Sequence, residues 1–153
     1  MIKLRRIKNK PILEPIPANT WEAAAVFNCG MIYDSGLFHM IYRAADRDFA
    51  ALKYDRPRKD LKFTSSLGYA VSTDGVHFKR LDQPIFTGEG LQEDWGVEDP
   101  RISKIGDTYY MLYTGFGGRG WSDHRICMTK SKNLIEWERI GVVLDEPNKD
   151  AAL

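Results

Sequence analysis

The chain has 153 residues, is 43% hydrophobic and carries a formal net charge of +1 at pH 7. That length suits one domain with a packed core, and so small a charge gives no field for a nucleic-acid partner. The sequence shows neither the roughly 20-residue apolar run of a membrane span nor the apolar stretch of a signal peptide, so no membrane partner is expected and a cytoplasmic protein is the default.

In chain order, the basic stretches KLRRIKNK (3–10) and RPRK (Arg56–Lys59) are short and read as solvated. KPILEP (Lys10–Pro15) echoes QPIF (Gln83–Phe86), which predicts a stray outer strand. TWEAAAVF (20–27) is too short for a helix and leads into strand-like residues, so an irregular or extended segment is expected; Trp21 and Glu22 fit packing or solvent as well as a ligand. From there the chain reads as short strands separated by turn signals.

An internal repeat organises those strands. NCGMIYDSGLFHMIYRA (Asn28–Ala44) aligns without a gap on DPRISKIGDTYYMLYTG (Asp99–Gly115), 71 residues later. Asp34-Ser35-Gly36 and Ile105-Gly106-Asp107 fall on the same hairpin turn. YAVSTDGVHFKRLDQPIF (Tyr69–Phe86) aligns on CMTKSKNLIEWERIGVVL (Cys127–Leu144), 59 residues later. The first unit carries a longer polar middle loop, placed where a rim loop would be. Two four-stranded antiparallel meanders predict an all-β chain and, more specifically, β-propeller blades, with a first blade at about 28–86, a second at about 99–144 and the start of a third at 150–153. A plain antiparallel sandwich is the alternative. Two blades leave sheet faces uncovered, so either the chain is a fragment or other chains cover those faces, which leaves a homo-oligomer open.

The first residues of inner propeller strands face a central funnel, so Asn28 and Asp99 are expected there, with Arg43 and Arg101 beside them, as a polar cluster suited to a ligand rich in hydroxyls. Simpler roles exist for each: Asp99-Pro100 as a strand-entry turn, Arg101 paired with Glu98, and Arg43 paired with Asp46. Trp95 and Trp121 fit core packing better than sugar platforms. GFGGRGW (115–121) lacks the Lys-Ser/Thr of a P-loop and reads as a mobile rim loop. His39, His77 and His124 show no ligand spacing, so no metal is expected. Cys29 and Cys127 read as small buried hydrophobes in a reducing compartment.

WEAAAVFN, IYRA, LGYAVSTDGVHF and GVEDPRISKIGDTYYMLYT together resemble glycoside hydrolase family 130, whose members are five-bladed propellers acting on β-mannosides; the mannooligosaccharide phosphorylases are the nearest likeness. The resemblance covers nearly the whole chain but about half of a family member. It implies that Asp99 is the general acid, protonating the glycosidic oxygen through a hydroxyl of the bound mannose, while inorganic phosphate attacks the anomeric carbon from the opposite face. It implies a β-mannoside oligosaccharide and phosphate as substrates, no cofactor, and phosphate-binding residues in later blades. Asn28 and Arg43 are implied as sugar contacts, with Glu98 and Arg101 touching sugar or supporting Asp99. A proton donor at neutral pH should have a raised pKa, through burial or the neighbouring Glu98. An inverting β-mannosidase and a non-catalytic carbohydrate-binding module are the other readings.

Overall fold

A computed structural model describes residues 3, 5–53, 62–120 and 122–153 of the chain. The fold is all-β: eight strands in one sheet, with three short 3-10 turns and no α-helix among the described residues. The first meander comprises β1 (Ala25–Asp34), β2 (Leu37–Ala45), β3 (Ser65–Ser72) and β4 (Lys79–Arg80). The second comprises β5 (Gly96–Ile105), β6 (Thr108–Phe116), β7 (His124–Ser131) and β8 (Glu138–Leu144). Pairing within each is antiparallel throughout.

The repeat read from the sequence is reproduced in the backbone. Both first hairpins close through two residues, Ser35-Gly36 and Gly106-Asp107. Ser35, Gly36 and Gly106 all take positive φ, which matches the right-handed twist of the strands they join. The third-to-fourth strand turns are equally alike. Ser72 Oγ accepts the amides of Asp74 and Gly75, and Asp74 Oδ1 accepts those of Val76 and His77. Fifty-nine residues on, Ser131 Oγ accepts the amides of Asn133 and Leu134, and Asn133 Oδ1 those of Ile135 and Glu136. Short polar side chains here replace the backbone partners that a tight turn withdraws.

Three expectations need correction. The outer strand of the first unit is only two residues long; chain continuity with the sheet resumes at an isolated bridge between Leu67 and Phe86. Lys10–Pro15 forms no strand; with prolines at 11 and 15 it lacks the amides a ladder needs, and Leu13 packs on the first unit instead. Residues 150–153 lie beside β5, with Ser103 Oγ donating to the Leu153 carbonyl, but they are not a paired strand.

The two meanders pack face to face. Ile41, Leu67 and Tyr69 from the first interleave with Val97, Met111, Tyr113 and Cys127 from the second. The opposite face of β2, through Met40, Tyr42 and Ala44, is covered by Leu13, Trp21 and Val26. Strand β2 is therefore buried on both sides over Met40–Ala45, which explains a run that is apolar but for Arg43. Cys127 is buried and its thiol is pushed up to about 11 by that burial; Cys29, expected inside, is exposed.

A single parallel bridge, Ser65 to Gly96, joins the units. Gly96 has φ 111°, and a Cβ there would sit 2.1 Å from the Ser65 carbonyl oxygen. Gly96→Ala is expected to destabilise the fold by about 2 kcal/mol or more, from a backbone clash added to a strained φ. A urea midpoint within error of wild type would show that the junction can relax.

Candidate active site

The site is built by two bulges. The β1–β2 ladder slips between Phe27 and Gly30, and the β5–β6 ladder slips between Glu98 and Arg101, 71 residues later. Inside the slips stand Asn28 (φ 45°) and Asp99 (φ 53°), both in the left-handed region that short polar side chains tolerate better than apolar ones. A bulge re-aims a side chain out of the pleat, and these two are aimed at each other. Asn28 Nδ2 donates to Asp99 Oδ1 at 2.7 Å. The strands also come close at this point: a Cβ on Gly30 would lie 2.7 Å from the Pro100 carbonyl oxygen. The strands start three residues earlier than the sequence reading placed them, so Asn28 and Asp99 sit within β1 and β5 and not at their first residues.

Around Asp99 a charge cluster closes. Arg43, from β2, is 6% exposed; its Nη2 meets Glu98 Oε1 at 2.7 Å, its Nη1 meets Asp99 Oδ1 at 3.4 Å, and its Nε donates to Ser65 Oγ. The Phe27 ring lies 4.6 Å from the guanidinium carbon. Lys149, from the C-terminal segment, places Nζ 2.6 Å from Glu98 Oε2 and 3.1 Å from Asp99 Oδ2. Glu98 and Asp99 are 1% and 2% exposed, so two buried carboxylates face two cations. Truncating Arg43 or Glu98 would leave an uncompensated charge in a poorly hydrated place.

The structure thus brings together Asn28, Arg43, Glu98 and Asp99. It does not bring in Arg101, which turns away to Asp150 at 3.7 Å and to the Pro100 carbonyl. The alternative partner for Arg43 is also set aside: Asp46 instead accepts the Thr64 and Asp48 amides. Lys149 was missed by the sequence reading, although it directly precedes Asp150, which had been placed at the start of a third repeat.

The expected rise in the Asp99 pKa is overturned. Burial pushes it up, but the Asn28 hydrogen bond and the charges of Arg43 and Lys149 outweigh burial and hold it below the usual carboxylate value. The neighbouring Glu98 is itself paired with Arg43 and Lys149. With a depressed folded-state pKa, ionised Asp99 stabilises the fold above the ordinary carboxylate pKa, and that contribution is lost as pH falls through the lower folded-state value.

Other candidates resolve into structural roles. Trp21 stacks on Tyr42 and donates Nε1–H to the Asp82 carbonyl. Trp95 packs edge-on against Phe63 and Phe116. The loop after β6 is fastened by Asp123, which takes the Arg119 amide and guanidinium. His39 shares a hydrogen bond with Tyr69, and His77 with Asp74. Among the described residues no group of three His, Cys, Asp or Glu side chains is arranged to hold a metal. Trp121 and the Arg56–Lys59 cluster lie outside the described residues. Thr114, at the repeat position of Arg43, has a buried Oγ1 without a hydrogen-bond partner among the described residues.

Residues 3–152 match the glycoside hydrolase family 130 described as beta-1,4-mannooligosaccharide phosphorylase. Two relatives from Thermoanaerobacter sp. (strain X514) align over the whole chain. A beta-1,2-mannobiose phosphorylase is 56% identical and is covered over 50% of its length; a 1,2-beta-oligomannan phosphorylase is 60% identical and covered over 49%. The chain therefore spans about half the length of the curated relatives it matches. A solved family 130 structure, described in connection with hydrolases that target beta-1,2 mannosidic linkages in Candida mannan, is 30% identical. It superposes with a TM-score of 0.74 over 90% of this chain and 40% of that one. The repeat, the paired bulges and these matches lead to one assignment: the chain belongs to glycoside hydrolase family 130.

Proposed function

We propose that the two meanders are consecutive blades of a β-propeller and that their inner bulges form part of the site of an inverting phosphorylase of β-mannosides, releasing mannose 1-phosphate. The observation that carries this reading is Asp99: a carboxylate 2% exposed, aimed by a bulge, and hydrogen-bonded to Asn28 from the matching bulge. Asp99 is the general acid, and Asn28, Arg43 and Glu98 orient sugar hydroxyls around it. Phosphate is already anionic and needs no base to attack the anomeric carbon, whereas inverting hydrolysis needs a second carboxylate set apart to activate water. Glu98 is the immediate neighbour of Asp99 and is tied to Arg43 and Lys149, so it does not fill that second place.

The relatives at 56% and 60% identity are named for β-1,2-linked mannosides, which makes β-1,2-mannobiose the first substrate to test. Hydrolysis is the second reading, favoured by the description of the family 130 structure at 30% identity. Incubation of the protein with β-1,2-mannobiose should yield mannose 1-phosphate by phosphorus NMR only when inorganic phosphate is supplied. Free mannose formed at the same rate without phosphate would replace this reading with the hydrolytic one.

A further inference from the structure

Three positive-φ residues mark one repeated position: Asn28 (φ 45°), Asp99 (φ 53°) and Asp150 (φ 61°). The residues just before them are Phe27, Glu98 and Lys149. The third is also seated against its neighbour, through other contacts: Asn28 bonds Asp99 across the first pair, whereas Lys149 meets Glu98 and Asp150 meets Arg101 across the second. The terminal segment is fixed there by the Asn148 amide donating to the His124 carbonyl and by the Leu153 carbonyl accepting from Ser103. Lys149 is thus held against Glu98 and Asp99 by a segment that is itself hydrogen-bonded to β5 and β7, and it is not a chance surface contact.

We infer that Lys149 is a positioning residue that sets the protonation state of Asp99, holding the carboxylate ionised before substrate binds and having to leave it before Asp99 can carry the proton it donates. This rests on Asp99 being the acid, as proposed above. The charged and polar groups facing Asp99 are few. Arg43 comes from β2, Asn28 from β1 and Lys149 from the terminal segment; Glu98 adjoins it within β5 and shares both cations. Arg43 reaches Asp99 only at 3.4 Å and is committed at 2.7 Å to Glu98. Asn28 is neutral. Lys149, 34% exposed at its side chain where Arg43 is 7% exposed, is the cation with freedom to withdraw when a sugar hydroxyl takes its place. Both carboxylates hold the Lys149 ammonium charged: burial would lower its pKa, but Glu98 and Asp99 outweigh burial and raise it.

The test follows the Asp99 carboxyl directly, by carbon-13 NMR titration of the protein without substrate, in wild type, Lys149→Met, Lys149→Gln and Lys149→Arg. Losing an opposite charge at this range should raise the Asp99 pKa by about one to three units in the Met and Gln variants, while Arg keeps it low. Lys149→Gln retains a donor toward Glu98, so it guards against the Met variant failing to fold. An Asp99 pKa that stays at the wild-type value in a folded Met or Gln variant overturns the inference. The alkaline limb of kcat/KM against pH is read in the same variants and should move upward with the NMR value. If the NMR pKa moves and the limb does not, Lys149 sets the Asp99 charge as inferred, and it is the assignment of Asp99 as acid that fails.

Discussion

Asp99→Asn is expected to lower kcat and kcat/KM for phosphorolysis together, by about 10²–10⁴-fold, the usual contribution of a positioned general acid. A parallel fall in both identifies a group used in the transition state and not in substrate binding alone. The substitution is structurally mild. The asparagine Oδ1 can still accept from Asn28, and both cations retain a carboxylate, Arg43 at 2.7 Å and Lys149 at 2.6 Å, in Glu98. The folded fraction should therefore change little while turnover collapses. Unchanged turnover in a folded Asp99→Asn protein would remove the enzymatic reading and leave carbohydrate binding.

The lowered pKa of Asp99 sharpens that expectation. A general acid works only while protonated, so activity is lost as pH rises through its pKa. The kcat/KM profile reports the free site, where Asn28, Arg43 and Lys149 hold Asp99 ionised; the kcat profile reports the occupied one. The alkaline limb of kcat/KM should consequently lie at lower pH than that of kcat. The gap between them measures how far bound sugar raises the Asp99 pKa, by excluding water and by drawing Lys149 away. Coincident limbs would mean that substrate does not alter the cluster.

Much of this arrangement was legible because the repeat fixes equivalence. Gly36 and Gly106 marked the hairpins, and the shared first position of the aligned repeat marked Asn28 and Asp99. The bulge itself was not legible. One extra residue in a strand leaves no trace in a two-residue period, so the polar pair read as a strand entrance when it is an interruption within the strand. The sign of the Asp99 pKa shift was likewise beyond reach, since it turns on Lys149, 50 residues away in the chain and 3.1 Å away in space. Arg101 misled for the opposite reason: two residues from Asp99 in sequence, it leaves the bulge on the other side and faces Asp150.

Carried back by a few residues, the same repeat exposes a second device and the other large effect. Glu22 and Glu93 are 71 residues apart, each closing a 3-10 turn, and they are 0% and 6% exposed. Glu22 accepts from the Tyr42 hydroxyl at 3.1 Å and from Arg80 Nη1 at 2.9 Å. Glu93 accepts from the Tyr113 hydroxyl at 2.6 Å and from Arg139 Nη2 at 3.1 Å. Tyr42 and Tyr113 are again 71 residues apart, and Arg80 and Arg139 are 59 apart, the offsets of the two halves of the repeat. Each triad ties the turn before a meander to its second and fourth strands. The fourth strand of the first unit has only two ladder pairs of its own, so Arg80 is its main anchor. Burial, followed by the Glu partner, pushes both tyrosine hydroxyls far above their ordinary pKa, so at neutral pH they serve purely as donors. Glu22→Ala and Glu93→Ala should each cost about 3–5 kcal/mol, because a tyrosine hydroxyl loses its acceptor and an arginine its buried carboxylate together. Within one triad the losses should be less than additive: Tyr42→Phe on top of Glu22→Ala should add little, since its partner is already gone. Urea denaturation of the single and double variants at constant m measures both effects, and a Glu22→Ala cost below about 1 kcal/mol would show that the triad is incidental to the fold.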